Sequence, residues 1–355
     1  MDKKRIAVLF GGASSEHEVS LLSASSVVRN IPKDKYDVVT VGITKDGRWY
    51  YYAGSMDKLP DSQWEKDESL IPAVLSPDTA CHGLLLLKES GVEEIYLDAV
   101  FPVLHGKNGE DGTVQGLLQM AGIPFVGCDG VSSGICMDKA LTNTIADFAG
   151  IPQAKWIGIT AFDYAKNKDT ILAQAKEYLG FPIFVKPANA GSSVGVSKAK
   201  NLKKLDEGIL AAFVHDHKVV LEEAVDGIEV ECAVLGNKEP IASVPGEIVP
   251  CNDFYDFDAK YLAGTSELHI PARLPEDKLE EVRREACRAY IALGCSGLAR
   301  IDFFIRRSDG KVMLNEPNTI PGFTSISMYP KLFEASGIPY EELLDRLITL
   351  AFERC

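Results

Sequence analysis

The sequence predicts an α/β protein whose amino-terminal unit is doubly wound, and three observations carry that reading. Short apolar runs alternate with helix-period segments, Gly-rich loops follow two of those runs, and 355 residues leave room for two or three folding units with a cleft between them. With 46% of residues hydrophobic and 25% charged, the chain can bury a large core.

Residues 5–10 form an apolar run that passes through GGASS into EHEVSLLSASSVVRNI, where Val19, Leu22, Ser26 and Val27 share one helical face. This is strand, glycine loop, helix. A second strand is expected over residues 36–43, then a polar turn at KDGRWYY and a weakly periodic stretch to about residue 94, read as an insertion. AVFPVLHG reads as a further buried strand ending in a polar loop, and TVQGLLQMAG as the helix after it. Beyond residue 130 helices are expected over 139–150 and 170–179, followed by the strand PIFVKP, which opens into the Gly/Ser loop ANAGSSVGVSK. VVLEEAV, EVECAVLG and IASVPGEIV read as three strands in meander order. The aperiodic, aromatic-rich CNDFYDFDAKYLAGTS is a candidate lid. A helix over 276–293, the strands GLARIDFFI and VMLNEPN around an SDG turn, the loop TIPGFTSIS and a helix over 340–354 complete the chain.

Charge excludes some functions. The 51 acidic residues outnumber 37 basic ones, with no long run of Lys and Arg, so a nucleic-acid partner is not expected. Apolar runs such as residues 84–87 fall far short of the ~20 residues of a membrane helix, and MDKKRIAVLFGG leads straight into a strand; a cytoplasmic protein without a signal peptide is expected. The eight cysteines are scattered without CxxC spacing, which suits buried free thiols. His215 and His217, in HDHK, read as a solvated turn.

The chemistry concentrates in four places. Glu16 stands at the mouth of the first sheet, while Ser15 and Glu18 have the spacing of a helix capping box. HGKNGEDG brings His105, two carboxylates and three glycines to the carboxyl end of a strand, where open α/β sheets place ligands. Lys186 ends a strand just before GSSVG, which suits polyphosphate binding although no Walker A pattern occurs. Asp302, Glu316 and Asn318 lie on two adjacent expected strands, their oxygens suited to a hard divalent cation, and Arg300 shares the face of Asp302. A metal-free salt-bridge network is the structural alternative. A lysine-held polyphosphate, magnesium on acidic strands and an arginine near the reacting centre are together what ATP-dependent ligation through a phosphorylated carboxylate requires.

The ordered set GGASSEHEVS, HGKNGEDGTVQG, MDKA, VKPANAGSSVGV, DAKYL, ARIDFF and NEPNTIPGFTSISMYP resembles the D-alanine–D-alanine ligase family of the ATP-grasp superfamily, over nearly the whole chain. The resemblance implies a three-domain ATP-grasp fold, with an amino-terminal unit over 1–127, a central one over 128–222 and a carboxy-terminal one over 223–355. It implies that ATP phosphorylates one D-alanine and that the amine of a second displaces phosphate, making a peptidoglycan precursor. By the same resemblance Glu16 and His105 attend the first D-alanine, and Lys139, Lys186, Ser192 and Ser193 hold the ATP phosphates. Glu222, Glu229 and Val225 serve the nucleoside. Ser192, Glu16 and Tyr261 form a closing hydrogen-bonded group, with Lys260 and Tyr261 on the lid. Asp302, Glu316 and Asn318 ligate two Mg2+ (or Mn2+), Arg300 and the Gly322 amide stabilise the oxyanion, and Ser327 binds the second carboxylate. A homodimer is implied as well.

Ala190 departs from members with glutamate there. Relatives that make D-alanyl-D-serine or D-alanyl-D-lactate are similar over FPVLHGKNGEDG and the AKY lid, but often carry arginine where Met328 stands, so D-alanine is expected as second substrate. A different carboxylate–amine ligase would not explain Glu16, His105, Tyr261 and Ser327 together. A nicotinamide oxidoreductase lacks its glycine fingerprint, and a non-catalytic binding protein would hold nucleotide without turnover.

Overall fold

The computed structural model describes residues 3–249, 267–324 and 326–354; the candidate lid, with Lys260 and Tyr261, lies outside them. Three sheets follow one another along the chain. The first is built from β1 (Lys4–Gly11), α1 (His17–Asn30), β2 (Tyr36–Ile43), β3 (Trp49–Tyr51), β4 (Ile71–Leu75), β5 (Gly83–Lys88), β6 (Gly91–Tyr96), β7 (Ala99–Pro102) and α2 (Thr113–Met120). Its strands run in the order β6-β5-β4-β3-β2-β1-β7. At its centre β1 is parallel to both β2 and β7. Its side chains alternate: Ile6, Val8 and Phe10 enter one core, Ala7 and Leu9 the opposite one, so both faces are covered.

The stretch read as an insertion instead adds β3 to β6 to this sheet as antiparallel strands. Its periodicity was hidden because β3 has only three residues and β6 buries almost none of its own. The capping box does not form: Glu16 occupies the cap position of α1 without a side-chain cap bond, and Glu18 pairs with Lys45.

Next come α3 (Gly130–Met137), α4 (Lys139–Phe148), β8 (Trp156–Thr160), α5 (Ala161–Leu179), β9 (Ile183–Pro187), β10 (Ser197–Ala199), α6 (Leu202–Ala212) and β11 (Lys218–Glu223). Asp129 and Asp138 cap α3 and α4 through the amides of Ser132 and of Ala140 and Leu141. The four strands pair in the order β10-β9-β11-β8, with Tyr164 and Ala175 of α5 and Leu205 and Ile209 of α6 buried against Val185 and Leu221. Thr160 caps α5 by accepting from the Asp163 amide, which starts the helix well before residue 170.

The third sheet contains β12 (Gly227–Gly236), β13 (Ile241–Ala242), β14 (Gly246–Val249), β15 (Glu267–His269), β16 (Gly297–Arg306) and β17 (Val312–Asn318), with α7 (Glu276–Ala292) before β16 and α8 (Met328–Ala335) and α9 (Tyr340–Glu353) closing the chain. The order is β15-β14-β12-β16-β17, with β13 beside β12. The expected meander is therefore divided between two sheets, since β11 pairs with β8 and β9 while β12 pairs with β14 and β16. Two shared cores fasten the layers. Tyr329, Phe333, Leu343 and Leu347 of α8 and α9 pack with Ile6, Leu21 and Phe101, and Cys136 and Ala146 of α3 and α4 pack with Val282 and Ile301. Among the described residues no helix is long and apolar enough to cross a membrane.

Candidate active site

The first wall of the site is made by loops at the carboxyl ends of β1 and β7. Glu16, about 8% exposed, accepts a 2.5 Å hydrogen bond from the Ser192 hydroxyl, joining the amino-terminal layer to the Gly/Ser loop. The backbone of Ser192 and Ser193 is held at φ of 49° and 59°, a left-handed conformation uncommon outside glycine and typical of binding loops. Gly106, at φ +68°, passes so near Glu16 that a Cβ would stand 2.4 Å from its Oε2.

The loop after β7 grips the segment after β17. His105 donates from Nδ1 to the Ile320 carbonyl at 3.0 Å and accepts at Nε2 from the Ser23 hydroxyl at 3.0 Å; Ser23 in turn accepts from the Phe323 amide. Burial favours the neutral ring and lowers the His105 pKa, against the pull of Glu16 and the Ile320 carbonyl. Glu110 completes the grip. Its Oε1 accepts from the Ile320 amide at 3.1 Å and its Oε2 from the Gly106 amide at 2.8 Å. Enclosure by protein, then the neighbouring Glu16, push the Glu110 carboxyl up to about 8, outweighing those amides and Arg300.

On the opposite wall β16 is central. Arg300 forks onto both oxygens of Asp302 at 2.7 and 2.6 Å and reaches Glu231 of β12 at 3.0 Å, while Asn318 donates to Asp302 at 2.9 Å. Register explains the cluster: Asp302 faces Glu231 on one neighbour and Glu316 on the other, and Arg300 faces Asn318. Asp302, Glu316 and Asn318 are the hard oxygen donors that a divalent cation prefers. Among the described residues, however, no group of three or more His, Cys, Asp or Glu is arranged to hold a metal ion. Here Asp302 is engaged by Arg300 and Asn318, so these residues fit the ion by chemistry and not as a preformed cage.

A larger cavity of about 690 Å3 lies between the second and third sheets, and a smaller one of about 290 Å3 lies toward the first. The larger contains Lys139, Lys186, Ser193, Glu222, Val225 and Glu229. Lys186 meets Glu222 at 2.5 Å, and Lys139 donates to the Ala190 carbonyl at 2.8 Å. Burial acts to lower the Lys186 pKa, but Glu222, Glu316 and Glu229 outweigh it and hold the ammonium above its ordinary value. The smaller cavity contains Glu16, His105, Arg300, Gly322, Ser327 and Met328. Lys139, Ser192, Glu231 and Glu316 border both, which makes the two spaces one continuous site.

Ser327 Oγ accepts from the Thr324 amide at 3.0 Å and shares a 2.8 Å hydrogen bond with the Thr324 hydroxyl. Gly322 approaches it closely: an added Cβ would lie 2.7 Å from Oγ. Met328 borders the cavity but turns its methyl end into the core toward Gly246, where a Cβ would be 2.4 Å away. The structure thus gathers every expected site residue among those described. Lys260 and Tyr261 lie outside the described residues. Sequence reasoning counted Glu110 in the HGKNGEDG loop without assigning it a role, and it missed Glu231 and Lys331. The first lies inside HGKNGEDG and the second two residues after Glu229, on the same strand face, so both left a legible trace.

A lysine-bearing cleft between two antiparallel sheets, open at one end to carboxylates and an arginine on a strand pair, is the arrangement of the ATP-grasp fold and defines an enzyme of the carboxylate–amine ligase class. Comparison with known proteins narrows it. The family described as "D-ala D-ala ligase N-terminus" matches residues 5–128, and "D-ala D-ala ligase C-terminus" matches residues 145–349. A D-alanine–D-alanine ligase of Caldicellulosiruptor bescii is 50% identical, covering 100% of this chain and 96% of the relative. One of Acetivibrio thermocellus is 51% identical, covering 99% and 97%. Among solved structures, the VanG D-Ala:D-Ser ligase of Enterococcus faecalis superposes with a TM-score of 0.91 at 42% identity, over 99% of this chain and 100% of that one. The D-alanine–D-alanine ligase of Coxiella burnetii gives 0.86 at 35% identity, over 99% and 96%. The chain belongs to the D-alanine–D-alanine ligase family.

Proposed function

We propose that this protein joins two D-alanines into D-alanyl-D-alanine at the expense of ATP, supplying a peptidoglycan precursor. The observation that carries the reading is the continuity of the two cavities through Lys139, Ser192 and Glu316, which lets a nucleotide in one meet an amino acid in the other. The division into units over 1–127, 128–222 and 223–355, and a homodimer as the working assembly, belong to the same reading; the mass in solution checks the latter.

Lys139 and Lys186 hold the phosphates, Ser192 and Ser193 cover them with the Gly/Ser loop, and Glu222, Glu229 and the Val225 backbone receive the nucleoside. On binding, phosphate replaces Glu222 as a partner of Lys186, so the ammonium kept charged in the cleft is already the right countercharge. Asp302, Glu316 and Asn318 would hold two Mg2+ (or Mn2+), which would neutralise phosphate charge when bound. Glu16 binds the ammonium of the first D-alanine beside His105. The carboxylate oxygen of that first D-alanine attacks the γ-phosphorus of ATP and ADP leaves, giving an acyl phosphate. The second D-alanine, its ammonium having released one proton to water, then attacks the acyl carbon through its amine, the carbonyl electrons move onto oxygen, and their return expels phosphate, which takes up the second proton shed by the nitrogen. Arg300 and the Gly322 amide stabilise that oxyanion, while Ser327 binds the second carboxylate and Lys260 assists it. Tyr261 with Glu16 and Ser192 closes the site against water, which would hydrolyse the acyl phosphate.

D-Serine as second substrate is a reading favoured by likeness to a D-Ala:D-Ser ligase, whereas apolar Met328 at the cavity edge favours D-alanine. Purified protein with ATP, Mg2+ and D-alanine is expected to release phosphate and form a dipeptide of the expected mass, and D-alanine is expected to outcompete D-serine and D-lactate. No phosphate release across pH and metals would defeat the enzyme reading. Preferential incorporation of D-serine would replace the substrate.

A further inference from the structure

Resting on the proposed two-amino-acid reaction, we infer that Lys331 is a specificity-determining cation that receives the carboxylate of the second amino acid alongside Ser327. Lys331 stands in the first turn of α8, whose cap position is Ser327, and both side chains line the smaller cavity. Its side chain borders the smaller cavity and is half-buried there, and it makes no ion pair among the described residues. Twenty-six ion pairs occur among the described residues and none involves Lys331, so a lysine facing a ligand cavity there suits an anionic ligand.

The cavity is polarised to match. The elements opposite α8 bring the carboxylates of Glu16, Glu231 and Glu316 to its lining together with Lys139 and Arg300, whereas α8 brings Lys331 and no acid. A zwitterionic amino acid entering this field turns its ammonium toward the acidic wall, where the acyl group is attacked, and its carboxylate toward α8. Ser327 is prepared for the same group. Its oxygen accepts from the Thr324 amide and shares a hydrogen bond with the Thr324 hydroxyl, and when that hydroxyl is the donor the Ser327 proton is left to donate outward. A hydroxyl donor and an ammonium at the amino-terminal end of one helix bind a carboxylate in a fixed direction. An uncharged acceptor of the same shape forfeits the charge-assisted part.

The test is steady-state kinetics of Lys331→Met, with Lys331→Gln as a second variant should the first fold poorly. The KM for the second D-alanine is expected to rise ~10–100-fold, the loss of one charge-assisted hydrogen bond, with kcat and the KM for the first D-alanine within about 3-fold. Lys331→Arg is expected to restore most of the affinity. D-Alaninamide as acceptor lacks the carboxylate, so the preference of the unaltered enzyme for D-alanine over the amide should shrink by the same factor in the Met variant. An unchanged KM, a rise shared by both amino-acid subsites, or an undiminished preference for the carboxylate would overturn the inference. Absence of dipeptide from the unaltered enzyme would instead remove the reaction itself, so the two failures are distinguishable.

Discussion

The two halves of the site solve different problems. In the larger cavity the charged side chains meet each other: Lys186 pairs with Glu222, and a ligand must exchange those partners for its own. In the smaller cavity much of the polar geometry is fixed by backbone. Glu110 holds the amides of Gly106 and Ile320, His105 holds the Ile320 carbonyl, and Ser23 receives the Phe323 amide. The difference teaches that polyphosphate can be received by countercharges that exchange partners, whereas a tetrahedral centre needs donors already aimed before the reaction begins.

The largest test of this contrast is Arg300. Arg300→Lys keeps a charge beside Asp302 and Glu231 but loses the planar fork, and kcat is expected to fall ~10²–10³-fold with the KM for ATP little changed. Arg300→Ala should also collapse kcat, but it strands two buried carboxylates, so its thermal melt is the control that separates folding from catalysis. A Lys variant with full turnover would break the comparison.

A smaller effect is expected from Ser192→Ala, which removes the 2.5 Å bond to Glu16 that ties the Gly/Ser loop to the first layer. Loss of a charge-assisted hydrogen bond of this kind corresponds to ~10–100-fold in kcat/KM, accompanied by ATP hydrolysis uncoupled from dipeptide formation. Full coupling in this variant would mean that the loop needs no such tie.

A separate effect, on stability alone, concerns Glu110. Its carboxyl titrates near 8 in the folded chain against an ordinary 4.5, so between those values the folded state binds the extra proton. The stability attached to this group is therefore complete below about pH 4.5 and is lost as pH rises toward about 8. Glu110→Gln cannot titrate, and its chemical-denaturation stability should fall less steeply over that window. Parallel profiles for both proteins would show that Glu110 is ionised throughout.

How much of this could be read beforehand varies by element. The strand, loop and helix around Gly11 and the acidic strands around Asp302 declare themselves, because local alternation and turn residues decide them within a dozen positions. Residues 44–94 do not: short strands with little buried surface leave no period, and only pairing with β2 makes them part of the sheet. The division of β11 from β12 was equally hidden, since both are apolar runs and partner choice is a long-range matter.

By itself the amino-acid sequence determined which chemical groups are present, the parallel centre of the first sheet and the order of the site segments, because those depend on residue type and near neighbours. Only the tertiary structure decided that Glu110 and His105 grip the backbone of Ile320, that Glu231 sits beside Asp302, and that Lys331 faces the cavity. Those contacts join positions as many as 215 residues apart, and no periodicity spans such a distance; it is the packing of sheets and helices on shared cores that brings them together.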